Sequence, residues 1–374
     1  VRIAVFCPEF GAIGGIERKA ESLIREFRAC GHRVVVLARG DDGATAGDPP
    51  VFRTRFHGVP RRVGALGRRF RYAMRRGRAV TALRAAASDF GADAVLSLSV
   101  SAFSPYALGL SAVAPLVYCL EGREAGGVFT ATPRVLARTL RAATHVIGCS
   151  TSLVESACAL VPAVRSRITM IPNGVDVDRF GTGPAFRHPR PYVLAVGRLA
   201  RQKGFDVLLR AFVDLAPVDP PDLLVAGDGP ERADLVSLAD RLGLRPRVHF
   251  LGAVDQATVA SLYRGAAVVA SPSRWEGLPL VVLEGMAAGR AVVAAAVDGV
   301  PDAIAPGETG ILVAPEDTAA LAAALEDLLG NDAERARLGA AARAAAERAF
   351  VWPQIAARYL DVLARVTAPR RAAG

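Results

Sequence analysis

Short apolar runs alternate with helical stretches along nearly the whole chain, in two series divided by a turn-rich linker. The first series places strands at 1–7, 33–38, 51–57, 93–98, 115–120, 144–149 and 168–171, with helices such as 15–29, 66–87 and 150–160 between them. Pro172-Asn-Gly-Val-Asp-Val-Asp-Arg-Phe180, Gly181-Thr-Gly-Pro184 and His188-Pro-Arg-Pro191 then carry turn and linker composition. The second series places strands near 192–197, 222–227, 248–251, 267–271, 291–296 and 311–313. Strands that alternate with helices build parallel sheets from βαβ units. The expected fold is therefore α/β: two facing Rossmann-like domains, over 1–180 and 181–350, with an inter-domain cleft. Open parallel sheets take ligands at the carboxyl ends of their strands, so chemistry is expected in the loops that follow strands.

The totals fit this reading. A chain of 374 residues suits roughly two domains. Hydrophobic content of 52% with only 6% aromatic residues fits Ala/Val/Leu-rich α/β layers better than a β-sandwich. No apolar run reaches the roughly 18 residues that cross a bilayer. Val1-Arg-Ile-Ala-Val-Phe-Cys7 reads as a strand and not as a signal peptide. The five cysteines are scattered, without CxxC or Cys/His metal spacing, and read as reduced, mostly buried residues of a cytosolic protein. The net charge of +10 is carried almost wholly by arginine, and Lys19 and Lys203 are the only two lysines. A GC-rich coding background accounts for that bias. It also makes the two lysines worth locating, because a lysine offers a compact point charge that arginine does not.

Four loops carry candidate chemistry. Gly11-Ala-Ile-Gly-Gly-Ile-Glu-Arg18 follows the first strand; it reads either as a tight βα turn or as an anion cradle at a helix amino end. It lacks the GxGxxG dinucleotide pattern. Gly197-Arg-Leu-Ala-Arg-Gln-Lys-Gly204 offers a fork and a point charge, Arg198 and Lys203, as a diphosphate requires. Ala226-Gly-Asp-Gly-Pro-Glu231 reads mainly as structure, with Gly229 in the turn. Arg274-Trp-Glu-Gly-Leu-Pro-Leu-Val-Val-Leu-Glu-Gly-Met-Ala-Ala-Gly289 holds two carboxylates, Glu276 in a Gly/Pro turn and Glu284 in a helix. Pro279 stands where a first helical residue is expected. That helix is apolar on nearly every side and so reads as buried, with Glu284 its only charge. An unpaired buried carboxylate costs roughly several kcal/mol, so Glu284 needs a polar partner or a polar ligand. The carboxylate pair points to a sugar-like, hydroxyl-rich ligand.

Weaker signals stand beside these. Asp176-Val-Asp178 is a DxD, but it lies in the linker and is not expected to hold a metal. His145 and His249 sit in apolar strand patterns and read as core histidines. Arg61, Arg62, Arg68, Arg69, Arg71, Arg75, Arg76 and Arg78 surround an apolar stripe at helical spacing. This is either an ordinary surface helix or a basic face for anionic lipid or a phosphorylated acceptor. Sparse aromatic residues there speak against nucleic acid.

Taken in order, the motifs resemble family 4 of the retaining glycosyltransferases, which have the GT-B fold. The matching pieces are Gly14-Gly15, Val146-Ile-Gly-Cys-Ser150, Pro172 to Phe180, Gly197-Arg198 with Lys203-Gly204, Gly227-Asp-Gly-Pro230, Val248-His-Phe-Leu-Gly252, and Glu276-Gly-Leu-Pro279 with Glu284. The resemblance implies that a C-terminal helix, 351–366, crosses back to the first domain, which binds the acceptor while the second binds a nucleotide-sugar donor. It implies catalytic roles for Arg198, Lys203 and Glu276. Gly14, Gly15, Gly197, Gly229, Phe250, Leu251, Gly277, Leu278, Pro279 and Glu284 would complete the donor site, with Glu276 on the sugar and Glu284 on the ribose. Many members carry a histidine after the strand corresponding to 115–120; here the chain reads Tyr118-Cys-Leu-Glu-Gly-Arg-Glu124, and Leu120 or Glu121 takes its position. Glu121 and Arg18 are the expected acceptor or sugar contacts, with acceptor choice in 8–18, 58–80 and 120–130. The implied activity is metal-independent, retaining transfer of a hexose-type sugar from a UDP-sugar, GDP next, without a cofactor. The acceptor is a glycan, lipid-linked or small molecule. The expected place is the cytoplasm, peripheral at the inner membrane face if the arginine face is used. The rival readings are a GT-B sugar-nucleotide epimerase and a catalytically weak nucleotide-sugar-binding partner subunit.

Overall fold

The computed structural model describes residues 1–12, 14–45, 47–56, 66–122, 133–213, 215 and 221–368, with the backbone alone at 66–73 and 101. The chain divides into two compact units, one formed by Val1–Pro172 with Trp352–Gly374 and the other by Asn173–Val351. Each is a Rossmann-like α/β layer structure.

In the first unit the strands are β1 (Arg2–Phe6), β2 (Arg33–Arg39), β3 (Gly43–Thr45), β4 (Val51–Thr54), β5 (Ala94–Leu98), β6 (Leu116–Leu120), β7 (His145–Gly148) and β8 (Ile168–Met170). They lie in the order β3-β4-β2-β1-β5-β6-β7-β8. Every pairing is parallel except β3 with β4. The edge strand β3 escaped sequence reading because Gly-Ala-Thr is short, exposed and without apolar alternation. The neighbouring strand stops at Thr54 and not at 57, and the helix expected over 66–87 runs from Leu66 to Asp89. Ile3, Ala4, Val5 and Phe6 are fully buried, as a central parallel strand covered on both faces requires. Part of that cover is the helix Trp352–Thr367, where the chain returns to this unit. Its Ile355, Ala356, Tyr359, Val362 and Leu363 pack into one core with Leu23 and Phe27 of the helix Gly15–Ala29 and with β1. Each large apolar side chain so buried stabilises by about 1.5–3 kcal/mol.

The second unit holds β9 (Tyr192–Val196), β10 (Asp222–Ala226), β11 (Val248–Gly252), β12 (Val268–Ser271), β13 (Ala291–Ala295) and β14 (Ile311–Val313). Their order is β11-β10-β9-β12-β13-β14, parallel throughout. Strand order therefore reverses between β9 and β12, where Leu194 faces Val269. Such a switch point opens a crevice at the carboxyl ends of the two strands. The linker Asn173–Phe180, expected at the end of the first domain, belongs to this second unit. Asn173 Nδ2 donates to Leu278 O at 2.7 Å, and Phe180 lies buried edge-on to Tyr263.

Candidate functional site

The loops after β9 and β12 meet at the switch point of the second unit. Backbone contact holds them there. Gly204 adopts a left-handed conformation (φ 63°), and a Cβ on it would stand 2.1 Å from Pro272 O. Only glycine lets the two loops come this close. Arg274 N donates to Gln202 O at 2.7 Å. The Arg274 guanidinium forks onto Asp206 at 2.8 and 2.9 Å and also donates to Glu316 and to Arg201 O. Hydrogen bonds from Arg274 hold the Asp206 carboxyl below its ordinary value. The neighbouring turn after β10 is fitted by the same logic. A Cβ on Gly227 would lie 1.9 Å from Gly197 O, and one on Gly229 would lie 2.4 Å from Leu199 O.

These turns deliver Lys203 to Glu276. Lys203 Nζ lies 2.5 Å from Glu276 Oε1, with side-chain exposures of 18% and 7%. Ser273 Oγ donates to the same oxygen at 2.7 Å, and Gln202 Nε2 reaches Oε2 at 3.5 Å. Asp298 Oδ2 accepts the Glu276 amide at 2.8 Å. The carboxylate is thus fixed by a cation, a hydroxyl and an amide before any ligand arrives. Ser273, Gln202 and Asp298 were missed by sequence reading. Asp298 carried one signal afterwards visible in the backbone, a positive φ of 45° at a non-glycine residue. Arg198 is exposed in the same loop, with no ion partner among the described residues.

Glu284 lies in the helix Leu280–Ala287, buried to 3% exposure. Its polar partner is Tyr263, whose hydroxyl donates to Oε2 at 2.9 Å. Pro279 is not the first helical residue: its extended ψ of 126° makes it the cap, and the helix opens at Leu280. Gly277, Leu278 and Pro279 are buried, and Leu278 O is already taken by Asn173. Phe250 is half-buried and Leu251 exposed at the end of β11, the edge strand beside β10.

In the first unit, Gly14 caps the helix that begins at Gly15. Burial raises the carboxyl of Glu17, which stands in the first turn of that helix. Arg18 is half-buried one residue on. Glu121, expected as a sugar contact, is the counter-ion of Lys19. Its Oε2 lies 2.9 Å from Lys19 Nζ, and the two side chains are 1% and 4% exposed. Burial alone would lower the Lys19 ammonium, but the Glu121 carboxylate overcomes this and holds it well above its ordinary value. The Tyr359 ring lies 5.5 Å from Nζ. Glu121 Oε1 is buried without a hydrogen-bond partner among the described residues.

Neither histidine is a core residue: His145 is half-buried and pairs with Thr169 at 2.9 Å, and the His249 side chain is 38% exposed and reaches Asp222. Asp176 caps the short helix Val177–Gly181, which accounts for half of the DxD by structure alone. Arg75, Arg76 and Arg78 are exposed, whereas Arg61, Arg62 and most of 120–130 lie outside the described residues. No helix among the described residues is long and apolar enough to cross a membrane.

Known proteins carry the same architecture. Residues 13–179 match the sequence model of "Glycosyltransferase Family 4", and residues 180–345 match "Glycosyl transferases group 1". The chain is 38% identical over 237 residues to a D-inositol 3-phosphate glycosyltransferase of Xylanimonas cellulosilytica, an alignment covering 58% of this chain and 56% of that one. It thus spans little more than half the length of that relative. Among solved structures, sucrose-phosphate synthase from Thermosynechococcus elongatus superposes with a TM-score of 0.83 at 24% identity, covering 98% of this chain and 99% of that one. Anabaena HepE in complex with UDP-glucose gives 0.77 at 21% identity, covering 97% and 99%. With both family models matched in order and two Rossmann-like units of the same topology, the chain belongs to the family 4 glycosyltransferases of GT-B fold.

Proposed function

We propose that the protein is a retaining, metal-independent hexosyltransferase that uses a UDP-sugar ahead of a GDP-sugar. The observation that carries this reading is the Lys203–Glu276 pair at the β9–β12 switch point, with Arg198 exposed in the loop that carries Lys203. A nucleoside diphosphate leaves readily when its growing charge meets cations already in place. Lys203 and Arg198 are such cations. Glu276, held by Ser273 and Gln202, would accept hydrogen bonds from sugar hydroxyls. Glu284 would take the ribose, sharing its carboxylate with Tyr263. Amides of Gly277 and Leu278 would face the phosphates. The HepE complex with UDP-glucose supports the choice of uridine.

The acceptor is a glycan, a lipid-linked glycan or a small molecule. The relative named for D-inositol 3-phosphate favours an anionic small acceptor, which suits the exposed arginines at 75, 76 and 78. The same face would bring the protein to anionic lipid at the cytoplasmic side of a membrane. Thermal shift with UDP-, GDP-, ADP- and dTDP-glucose tests the donor, since a ligand bound only by the folded state raises its stability. NMR of the product then reads the anomeric configuration, and turnover in EDTA reads metal dependence. Inversion at the anomeric carbon, or loss of turnover in EDTA, overturns the corresponding part. A product epimerised without transfer would favour an epimerase, and donor binding with neither transfer nor hydrolysis would favour a binding subunit.

A further inference from the structure

At the opposite end of the second sheet, three metal-ligating groups meet. Asp222 opens β10, His249 is the second residue of β11, and His188 lies in the irregular stretch before β9. They gather at the amino ends of the strands, about 16 Å along a five-residue strand from the loops of the proposed donor site. His188 Nε2 lies 2.6 Å from Asp222 Oδ2, and His249 Nε2 lies 3.1 Å from the same oxygen. The three ligand atoms all fall within 4.8 Å of one another.

We infer that this cluster is a transition-metal site, separate from sugar transfer, with Zn²⁺ as its fitting cation. Two imidazoles and one carboxylate are a donor set for zinc and its neighbours, and not for Mg²⁺ or Ca²⁺, which take oxygen cages. Zinc bonds of about 2.0–2.2 Å at tetrahedral angles set ligand atoms roughly 3.3 Å apart. His249 already stands near that spacing. His188 must withdraw by several tenths of an ångström, and its segment has no strand pairing to prevent this. Rings frame the site: His188 lies edge-on to His249 at 5.6 Å, stacks with Phe186 at 6.4 Å and meets Tyr192 edge-on at 5.6 Å. Arg190 Nη2 binds the other carboxylate oxygen at 2.7 Å. It leaves Oδ2 for the metal and fixes the orientation of the carboxylate, as outer groups of metal sites do. Its own charge opposes the cation, but at 38% side-chain exposure water and salt screen it. The side chain of His249, also 38% exposed, leaves a fourth position open to water. Binding would tie the linker to the β10–β11 edge and stabilise the folded second unit.

The test uses the full chain, freed of metal by dialysis against chelator and then titrated with Zn²⁺, with Co²⁺ as a spectroscopic probe and Mg²⁺ as a control. One Zn²⁺ per chain is expected, with a raised unfolding temperature, tetrahedral Co²⁺ absorption bands and no response to Mg²⁺. His188→Ala and His249→Gln should each weaken Zn²⁺ binding by about tenfold or more. Asp222→Asn is kept as a secondary variant, because its buried carboxylate also holds Arg190. The histidine variants should leave glycosyl transfer unchanged, which separates this proposal from that of the donor site. Absence of stoichiometric Zn²⁺ binding overturns the inference, and so does binding that both histidine variants leave intact.

Discussion

Replacing Lys19 by methionine keeps the aliphatic stem and removes only the charge. Glu121 would then sit 4% exposed with both carboxylate oxygens lacking a cation. Screening does not soften this loss, since neither side chain of the pair reaches bulk water. Removing one partner of a buried ion pair costs about 3–5 kcal/mol, whereas replacing both by apolar groups of similar volume is nearly neutral. Lys19→Met and Glu121→Leu should therefore each destabilise the first unit by about that amount, and the double variant should lose less than either. The assay is urea unfolding followed by tryptophan fluorescence. The chain's two tryptophans fall one in each unit, Trp275 in the second and Trp352 in the first. A Trp275→Phe background thus makes Trp352 the only reporter, and it reports the first unit. Single variants that lose under about 1 kcal/mol would show a water-screened pair. A double variant equal to the sum of the singles would show no coupling. Either result refutes the reasoning.

Three further outcomes follow from the second unit. Lys203→Ala should lower kcat by about 10²–10³-fold, the scale of one lost charge-stabilising donor, in protein that circular dichroism shows to be folded; full turnover would remove Lys203 from the reaction. Gly227→Ala should destabilise the second unit by more than about 1 kcal/mol, because its methyl group would meet Gly197 O at 1.9 Å; denaturant melts read by Trp275 check this. The Asp206 carboxyl, held low by Arg274, contributes stability above the ordinary carboxylate value of about 3.9 and loses it as pH falls through its lowered folded value. Asp206→Asn should therefore flatten the acid limb of the stability–pH curve, and an unchanged acid limb would contradict the pairing.

The two-series α/β architecture was legible because parallel strands buried on both faces write continuous apolar runs, as in Ala291–Ala295 and Leu116–Leu120. Lys203 and Glu276 could be nominated from the loops that follow β9 and β12, since strand ends are where this topology gathers its groups. What holds them was not legible. Ser273 and Gln202 are ordinary loop residues, and only the fold brings them to one carboxylate. Lys19 and Glu121 are separated by 102 positions, so local pattern gave neither its partner. The sequence therefore showed Glu121 only as a candidate ligand contact and not as the partner of Lys19. His249 was misplaced for a related reason. Its strand is the sheet's edge, and an apolar pattern does not distinguish an edge from a centre.

If the crevice takes the proposed donor, the Lys203–Glu276 contact also sets what the resting site would ignore. A protein with a net charge of +10 attracts phosphates of every kind. An isolated lysine in that crevice would accept any of them. Here the lysine is already occupied by an internal competitor. An anion that brings only charge must break that contact and leave Glu276 with just a hydroxyl and an amide. A ligand that offers phosphate oxygens to the lysine and hydroxyl donors to the glutamate satisfies both at once. On the proposed function the ion pair would act as a coincidence gate, and inorganic phosphate would meet only one of its two conditions.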